Sequence, residues 1–291
     1  MAEKFCSKVS PTLLIPLYYR AKESERVEDA ILHDPKAIEL ISKIDFDFSV
    51  YPMDGTTSIG CPIRSWFLDQ NIIEFIKSNQ NEGSSIVVVN LGCGVDTRMD
   101  RIEYMSNKNH DFSLENVKFV EIDLPDVIEY RNTLLPPKEN QIYIPMSIFE
   151  VKWMNDLLEK YGKVNYVFVA EGVFPYFEND IVKKFFDDLA NVFTPETAKN
   201  VEIWLDTTGS NLVKNKKRQS ESLKAHEGAT LKMEVDDPNQ FERWNPKYKL
   251  IKANIYQDFF KWRWGIFPGF CLPLFPGMMK KYSFLCGLKL N

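Results

Sequence analysis

Apolar residues recur along this chain in two rhythms. Short runs dominated by apolar residues, the habit of strands buried on both faces of a parallel sheet, occupy 86–89, 117–122, 141–144, 165–170 and 201–206. Between them, apolar positions at helical spacing mark 126–135, 153–161 and 180–193, and Met99, Ile102 and Met105 follow the first run in the same way. Strands alternating with helices predict an α/β fold with a mostly parallel sheet, whose ligand lies beyond the C-terminal ends of the strands. The residues at those ends are Gly92 to Asp96, Asp123, Ser147 and Glu171.

Everything before residue 80 reads as a helical cap. Ser10 is placed to cap a helix with Pro11 in its first turn and Leu13, Leu14 and Leu17 following, and Pro16 shortens or kinks it. A second helix is expected to start at His33-Asp34-Pro35 and to carry Ile38, Leu40 and Ile41. Residues 46–60 read as a loop. Ile63, Trp66, Phe67, Ile72, Phe75 and Ile76 then mark an amphipathic helix. The division expected is a cap over 1–80 and a core over 81–291, with a less regular aromatic-rich insertion near 257–280. After the fifth strand come a helix over 210–227, carrying the basic run 214–218, and late strands near 249–256 and 281–290. Three prolines and three glycines break the apolar stretch 262–279, so it does not read as a membrane-spanning helix.

Composition changes this picture little. A chain of 291 residues, 44% hydrophobic and 26% charged, can bury a large core as an ordinary globular enzyme does. Its first ten residues are too short and polar for a secretory signal. Five scattered cysteines and three distant histidines (33, 110, 226) form no metal-binding constellation. The thiols therefore read as packing residues in a reducing, cytoplasmic setting. Charge is uneven: from residue 211 onward 15 Lys and Arg face 7 Asp and Glu, against 21 and 34 before it. The basic run has no interleaved aromatic residues to stack on bases, which argues for a solvated helix face and against nucleic acid.

The run at 86–89 leads into Asn90-Leu-Gly-Cys-Gly-Val-Asp-Thr-Arg98. Gly92 and Gly94 permit a tight turn and a close approach of ligand to backbone, and Asp96 is placed to cap the next helix. A dinucleotide fingerprint needs a third glycine where Thr97 stands, which weakens a pyrophosphate ligand and favours a smaller adenosine-containing one. Asp123 ends the next strand, where a carboxylate accepts from both ribose hydroxyls. Glu171 ends a later strand and suits a positively charged ligand. Ribose, adenine and a cationic centre without phosphate describe S-adenosylmethionine.

Three motifs in order, the glycine segment above, Glu121-Ile-Asp-Leu-Pro-Asp-Val-Ile128 and Ala170-Glu-Gly-Val-Phe-Pro-Tyr176, resemble those of the leucine carboxyl methyltransferase family, in particular its tetracenomycin-type polyketide O-methyltransferase branch. Thr12-Leu-Leu14, Arg20-Ala21, Asp34-Pro35, Arg64 and Ser147 with Trp153 extend the resemblance over residues 10–206. It implies a class I S-adenosylmethionine-dependent methyltransferase fold with an N-terminal helical extension. It also implies that Arg64 pairs with the methionine carboxylate, Gly92 and Gly94 lie against the cofactor, Asp123 holds the ribose, and Ser147 and Ile148 border the adenine. Glu171 then lies near the amino or sulfonium end, and Asp96, in the glycine turn, is a further candidate for the cofactor site. Pro175 is a departure from the family's pattern. In the protein-phosphatase-modifying branch an Asp stands at the position of Ser147, which argues against that branch.

Methyl transfer from a sulfonium is an in-line displacement that needs alignment and a dry pocket. A carboxylate acceptor needs no base, whereas a phenol does. His33, beside Asp34 and Pro35, is the one candidate base. No dedicated catalytic residue or metal is expected, and Tyr19, Arg20 and Tyr176 are the candidates for positioning the acceptor. The expectation is thus an O-methyltransferase acting on a carboxyl or phenolic group of a small polyketide-like metabolite. A protein C-terminal carboxylate as target, or S-adenosylmethionine binding without catalysis, stand as alternatives. The acceptor and the oligomeric state are not specified by the sequence.

Overall fold

A computed structural model describes residues 3–4, 10–53, 56–80, 84–215, 223, 230–265 and 283–290. Strand β3 (Ile86–Leu91) is buried at all six positions, and its alternating side chains serve two different cores. Val87, Val89 and Leu91 join one cluster and Ile86 and Val88 another on the opposite face, which is why the run shows no polar alternation. Around it stand β4 (Val117–Asp123), β5 (Gln141–Pro145), β6 (Asn165–Ala170) and β7 (Val201–Asp206), with β8 (Tyr248–Asn254) and β9 (Leu285–Leu290) completing the sheet. The spatial order is β5-β4-β3-β6-β7-β9-β8. The first five strands are parallel; β9 runs antiparallel to both β7 and β8 and lies between them. A register shift between Leu250 and Lys252 interrupts the β8 pairing.

Helices cover both faces. Helix α6 (Lys152–Tyr161) and α7 (Asn179–Val192) bring Trp153, Met154, Leu157, Phe185, Phe186 and Leu189 against one face. On the other, α3 (Thr56–Asn79) and α4 (Arg98–Asn109) supply Phe67, Leu68, Ile72, Met99 and Ile102. The N-terminal helices α1 (Leu14–Ser24) and α2 (Pro35–Lys43) form a third cluster with Val95 and with Tyr130 and Leu134 of α5 (Pro125–Leu134). A two-stranded parallel pair, β1 (Glu3–Lys4) with β2 (Ile44–Asp45), lies beside them. Short helices α8 (Ser210–Lys214) and α9 (Gln240–Trp244) precede β8.

Several local expectations meet a different outcome. Ser10 caps a 3-10 turn over Pro11–Leu13 that runs into α1, and Asp34 caps α2 by accepting from the Ala37 N–H at 3.0 Å. The loop expected over 46–60 ends earlier, because α3 begins at Thr56 and accommodates both Gly60 and Pro62. Asp96 does not cap α4; its carboxylate is drawn instead to arginines. Of the helix expected over 210–227, residues 216–222 and 224–229 lie outside the described part, as do 266–279 of the aromatic stretch and 281–282 of the last strand.

On the antiparallel side, Gly287 pairs with Trp204, and a Cβ at 287 would lie 2.2 Å from the indole ring. Only a glycine lets β9 close over this tryptophan, which also packs edge-on against Phe67 at 5.9 Å. No helix among the described residues is long and apolar enough to cross a membrane.

Candidate active site

The ends of β3, β4, β6 and β7 open into one cavity of about 530 Å³, within the range of roughly 300–1,000 Å³ typical of small-molecule sites. Its floor is the turn after β3. The N–H groups of Gly92 and Cys93 both donate to the Ile122 carbonyl, at 2.8 and 3.1 Å, and so bind the turn to β4. Gly92 has φ +63° and a Cβ there would meet Val173 Cγ2 at 2.6 Å, so conformation and space both require glycine. Gly94, at φ +48°, has only Leu13 nearby, at 3.6 Å.

Asp123 is held by this turn. The Gly94 N–H donates to its Oδ2 at 2.7 Å and the Leu124 N–H to its Oδ1 at 2.8 Å. One donor on each oxygen fixes the carboxylate and leaves each oxygen a further lone pair for a ligand hydroxyl. Burial pushes the Asp123 carboxyl above the usual aspartate range, opposed by the two backbone donors.

Behind the turn lies a buried network of ions. Glu171 accepts from Arg98 Nη2 at 2.5 Å, Ser65 Oγ at 2.8 Å and Arg64 Nε at 3.3 Å. Arg64 Nη1 bridges to Asp206 Oδ2 at 3.0 Å, and the Gly172 N–H donates to Asp206 Oδ1 at 2.6 Å. Asp96 meets Arg101 at 2.9 Å, Arg98 at 3.1 Å and Arg20 at 3.4 Å. Asp34 ties Arg20 (2.9 Å), Arg101 (3.2 Å) and the Thr97 hydroxyl to the cap. Arg101 also grips Asp69, at 2.6 and 3.1 Å. Buried ions survive only where hydrogen bonds replace water on most of their surface. Of the fully buried side-chain atoms in this network only Arg98 Nη1 lacks a hydrogen bond among the described residues, and it lies 3.2 Å from the Asp69 carboxylate. Burial works to raise the Glu171 carboxyl, but Arg64 and Arg98 outweigh it and hold the group below the usual glutamate range. The same contest, against Arg101, Arg98 and Arg20, leaves Asp96 well below its ordinary value. At Asp206 burial prevails over Arg64 and the Gly172 N–H, and its carboxyl is raised.

Of the residues expected from the sequence, Arg20, Arg64, Gly92, Gly94, Asp96, Asp123, Glu171 and Tyr176 line the cavity. Three do not. Tyr19 is buried, and its hydroxyl donates to the Pro52 carbonyl at 2.8 Å, which occupies the group expected to position an acceptor. Ser147 Oγ accepts from the Phe149 N–H within its own loop, at 3.3 Å. Ile148 is buried, its carbonyl taken by Trp153 Nε1 at 3.0 Å. Both follow β5, one strand beyond Asp123. His33 and His110 lie outside the lining as well.

Asp206, Thr207, Thr208 and Tyr256 line the cavity without having been singled out by the sequence. Asp206 ends a parallel strand as Asp123 and Glu171 do, and that parallel was the available signal. Tyr256 follows β8 in an irregular segment and carried none.

The lining suits a cation-bearing nucleoside. Four carboxylates (Asp96, Asp123, Glu171, Asp206) face two guanidiniums (Arg20, Arg64) around it. Arg64 binds its two carboxylates through Nε and Nη1, and among the described residues no acceptor takes Nη2. Leu13, Pro16, Val173, Phe177, Leu212 and Leu231 supply apolar walls.

Known proteins resemble this chain in sequence and in fold. Residues 14–190 match the family model described as leucine carboxyl methyltransferase. The chain is 29% identical over 176 residues to the tetracenomycin polyketide synthesis O-methyltransferase TcmP of Streptomyces glaucescens. That match covers 58% of this chain and 56% of TcmP, so the chain spans little more than half the length of this relative. Among solved structures, a candidate methyltransferase of Thermobifida fusca is similar over 97% of this chain and 98% of its own, with 13% identity and a TM-score of 0.51. An S-adenosylmethionine-dependent methyltransferase of Anabaena variabilis is similar over 78% and 84%, with 11% identity and a TM-score of 0.49. The fold is the class I S-adenosylmethionine-dependent methyltransferase fold.

Proposed function

The chain belongs to the leucine carboxyl methyltransferase family, and from that membership we propose that it transfers a methyl group from S-adenosylmethionine to a carboxyl oxygen of a small, largely apolar metabolite of polyketide type. The observation that carries this reading is the meeting, in one cavity, of the glycine turn, the backbone-held Asp123 and the arginine-braced Glu171. Asp123 would accept the ribose hydroxyls, and Gly92 and Gly94 would give the nucleoside access to bare backbone. Glu171 and Asp96 would offset positive charge, and Arg64 would present Nη2 to the amino-acid carboxylate. When bound, S-adenosylmethionine supplies an activated methyl; its C–S bond breaks as the O–C bond forms, the electron pair remains on sulfur, and the carboxylate becomes a neutral ester.

A carboxylate acceptor fits the residues that face the cavity. Glu171, Asp206 and Asp96 are each committed to guanidinium or backbone donors, and Asp123 to two backbone N–H groups. All four are engaged by these donors, and an acceptor already ionised at neutral pH needs no proton taken. The protein's task is then alignment and exclusion of water, which the apolar walls and buried ions favour.

Isothermal titration with S-adenosylhomocysteine tests the cofactor, and no heat at millimolar ligand would remove the reading. Incubation with methyl-labelled S-adenosylmethionine and paired panels of carboxylic acids and phenols, read by mass spectrometry, tests the acceptor. Methyl esters are expected; methyl ethers alone would overturn the carboxyl assignment.

A further inference from the structure

Two tyrosines enter the cavity from separate elements, and neither hydroxyl has a hydrogen-bond partner among the described residues. Tyr176 belongs to the 3-10 turn Phe174–Tyr176 after β6, and Tyr256 to the turn Tyr256–Asp258 after β8. Both share the cavity wall with Arg64, Asp206 and Cys61. Burial pushes the Tyr176 hydroxyl up and the Tyr256 hydroxyl well up, so each remains a neutral O–H donor at any physiological pH. Both side chains are half-buried, so their hydroxyls are open to the cavity and can donate to a ligand there.

Tyr256 is held firmly in this position. Its ring lies over Gly60 of α3, 3.7 Å from where a Cβ would stand. The segment that follows packs Phe259 and Phe260 edge-on against Trp66, with ring centres 5.3 and 4.9 Å apart. Arg263 then clamps Glu23 of α1 through both guanidinium nitrogens, at 2.7 and 2.8 Å. The hydroxyl is thus presented by a strap fastened to the same two helices that carry Arg20 and Arg64.

We infer that the Tyr256 and Tyr176 hydroxyls form the donor pair that receives the anionic oxygens of the methyl acceptor, with Tyr256 deciding which acceptors the cavity holds; this rests on the methyl-transfer reading above. Two O–H donors that share the Arg64, Asp206 and Cys61 wall of one cavity can serve the two oxygens of a carboxylate, and hydrogen bonds to an ionised acceptor are about twice as strong as those to a neutral one. Neutral donors also add no positive charge beside a methyl donor that is itself cationic. The apolar residues Leu13, Pro16, Leu212 and Leu231 take the body of the acceptor, so the class that fits is a carboxylate on a bulky apolar body.

The test uses the full chain saturated with S-adenosylhomocysteine, titrated with 2-naphthoate and anthracene-2-carboxylate and with the amide of each. The wild type is expected to bind at least one carboxylate at least tenfold more tightly than its amide. Tyr256→Phe is expected to weaken that carboxylate at least tenfold and to erase the preference over the amide. Tyr176→Phe is expected to act in the same direction. S-adenosylhomocysteine affinity and melting temperature are expected to stay at their wild-type values in both, which separates loss of a donor from loss of structure. Unchanged carboxylate affinity in Tyr256→Phe overturns the inference, and so does a wild type that binds S-adenosylhomocysteine but no carboxylate. Failure to bind S-adenosylhomocysteine instead overturns the cofactor reading on which it stands.

Discussion

Arg98, on the first turn of α4, reaches across the sheet end to place its Nη2 2.5 Å from Glu171 at the end of β6. The contact couples the glycine-turn unit to the second acidic strand end, since the same arginine also holds Asp96 at 3.1 Å and Asp69 at 3.2 Å. Replacing Arg98 with Leu leaves three buried carboxylates short of a partner. Unfolding by urea is expected to show a loss of about 3–5 kcal/mol, the usual cost of breaking a buried ion pair from one side. A loss under 1 kcal/mol would mean that water reaches these carboxylates.

Glu171 also predicts a pH dependence. Its folded-state carboxyl lies below the ordinary value because Arg64 and Arg98 outweigh burial, so its stabilisation is full above the unfolded-state range and fades as pH falls toward the folded value. The stability gap between wild type and Glu171→Gln is therefore expected to be flat from pH 7 to about 5 and to narrow below about 4.5. Denaturant midpoints measured across that range check it, and a gap that widens on acidification would reverse the assigned sign.

The two turn glycines are expected to respond unequally to alanine. Gly94→Ala carries only the left-handed backbone cost of about 1–2 kcal/mol, because its nearest neighbour stands at 3.6 Å. Gly92→Ala adds a collision with Val173 at 2.6 Å and is expected to cost more. Adding Val173→Ala to Gly92→Ala is expected to recover part of the loss, and thermal melts of the four proteins decide the matter.

Asp123→Ala is expected to weaken S-adenosylhomocysteine at least tenfold by calorimetry with little change in melting temperature. Its oxygens accept from two backbone N–H groups at the cavity rim, where water can replace them. Equal affinity in wild type and variant would sink the ribose assignment.

Gly287→Ala is expected to be strongly destabilising, since its Cβ would lie 2.2 Å from the Trp204 ring. Trp204→Leu alone removes packing against Phe67. The double variant is expected to be more stable than the sum of the two losses implies, the signature of side chains in contact.

How much of this was legible follows from which forces were local. The strands at 86–91 and 165–170 and the cap at Asp34 follow from apolar runs and short-range capping, and the sequence displays both. Asp96 reads as a helix cap because its neighbours in sequence allow it. Arg101, Arg98 and Arg20 then offer its carboxylate more than a backbone N–H does, and Arg20 comes from 76 residues away, through a contact no local pattern displays. Tyr19 looked available to an acceptor until Pro52 took its hydroxyl. Tyr256 could not be read at all, because the strap that presents it is fixed by Trp66 and Glu23, both far earlier in the chain.

Strand β9 lies between β7 and β8, and this sets an order of events during synthesis. Residues 248–254 leave the ribosome 31 residues before Leu285, yet β9 is the strand to which they pair. Until then β7 presents an open edge with Trp204 beside it, a template for mispairing. Leu285 follows the end of β7 at Asp206 by 79 residues, so at roughly 5–20 residues per second the exposure lasts about 4–16 s, which makes this edge the point where a chaperone or a second nascent chain would first find the protein.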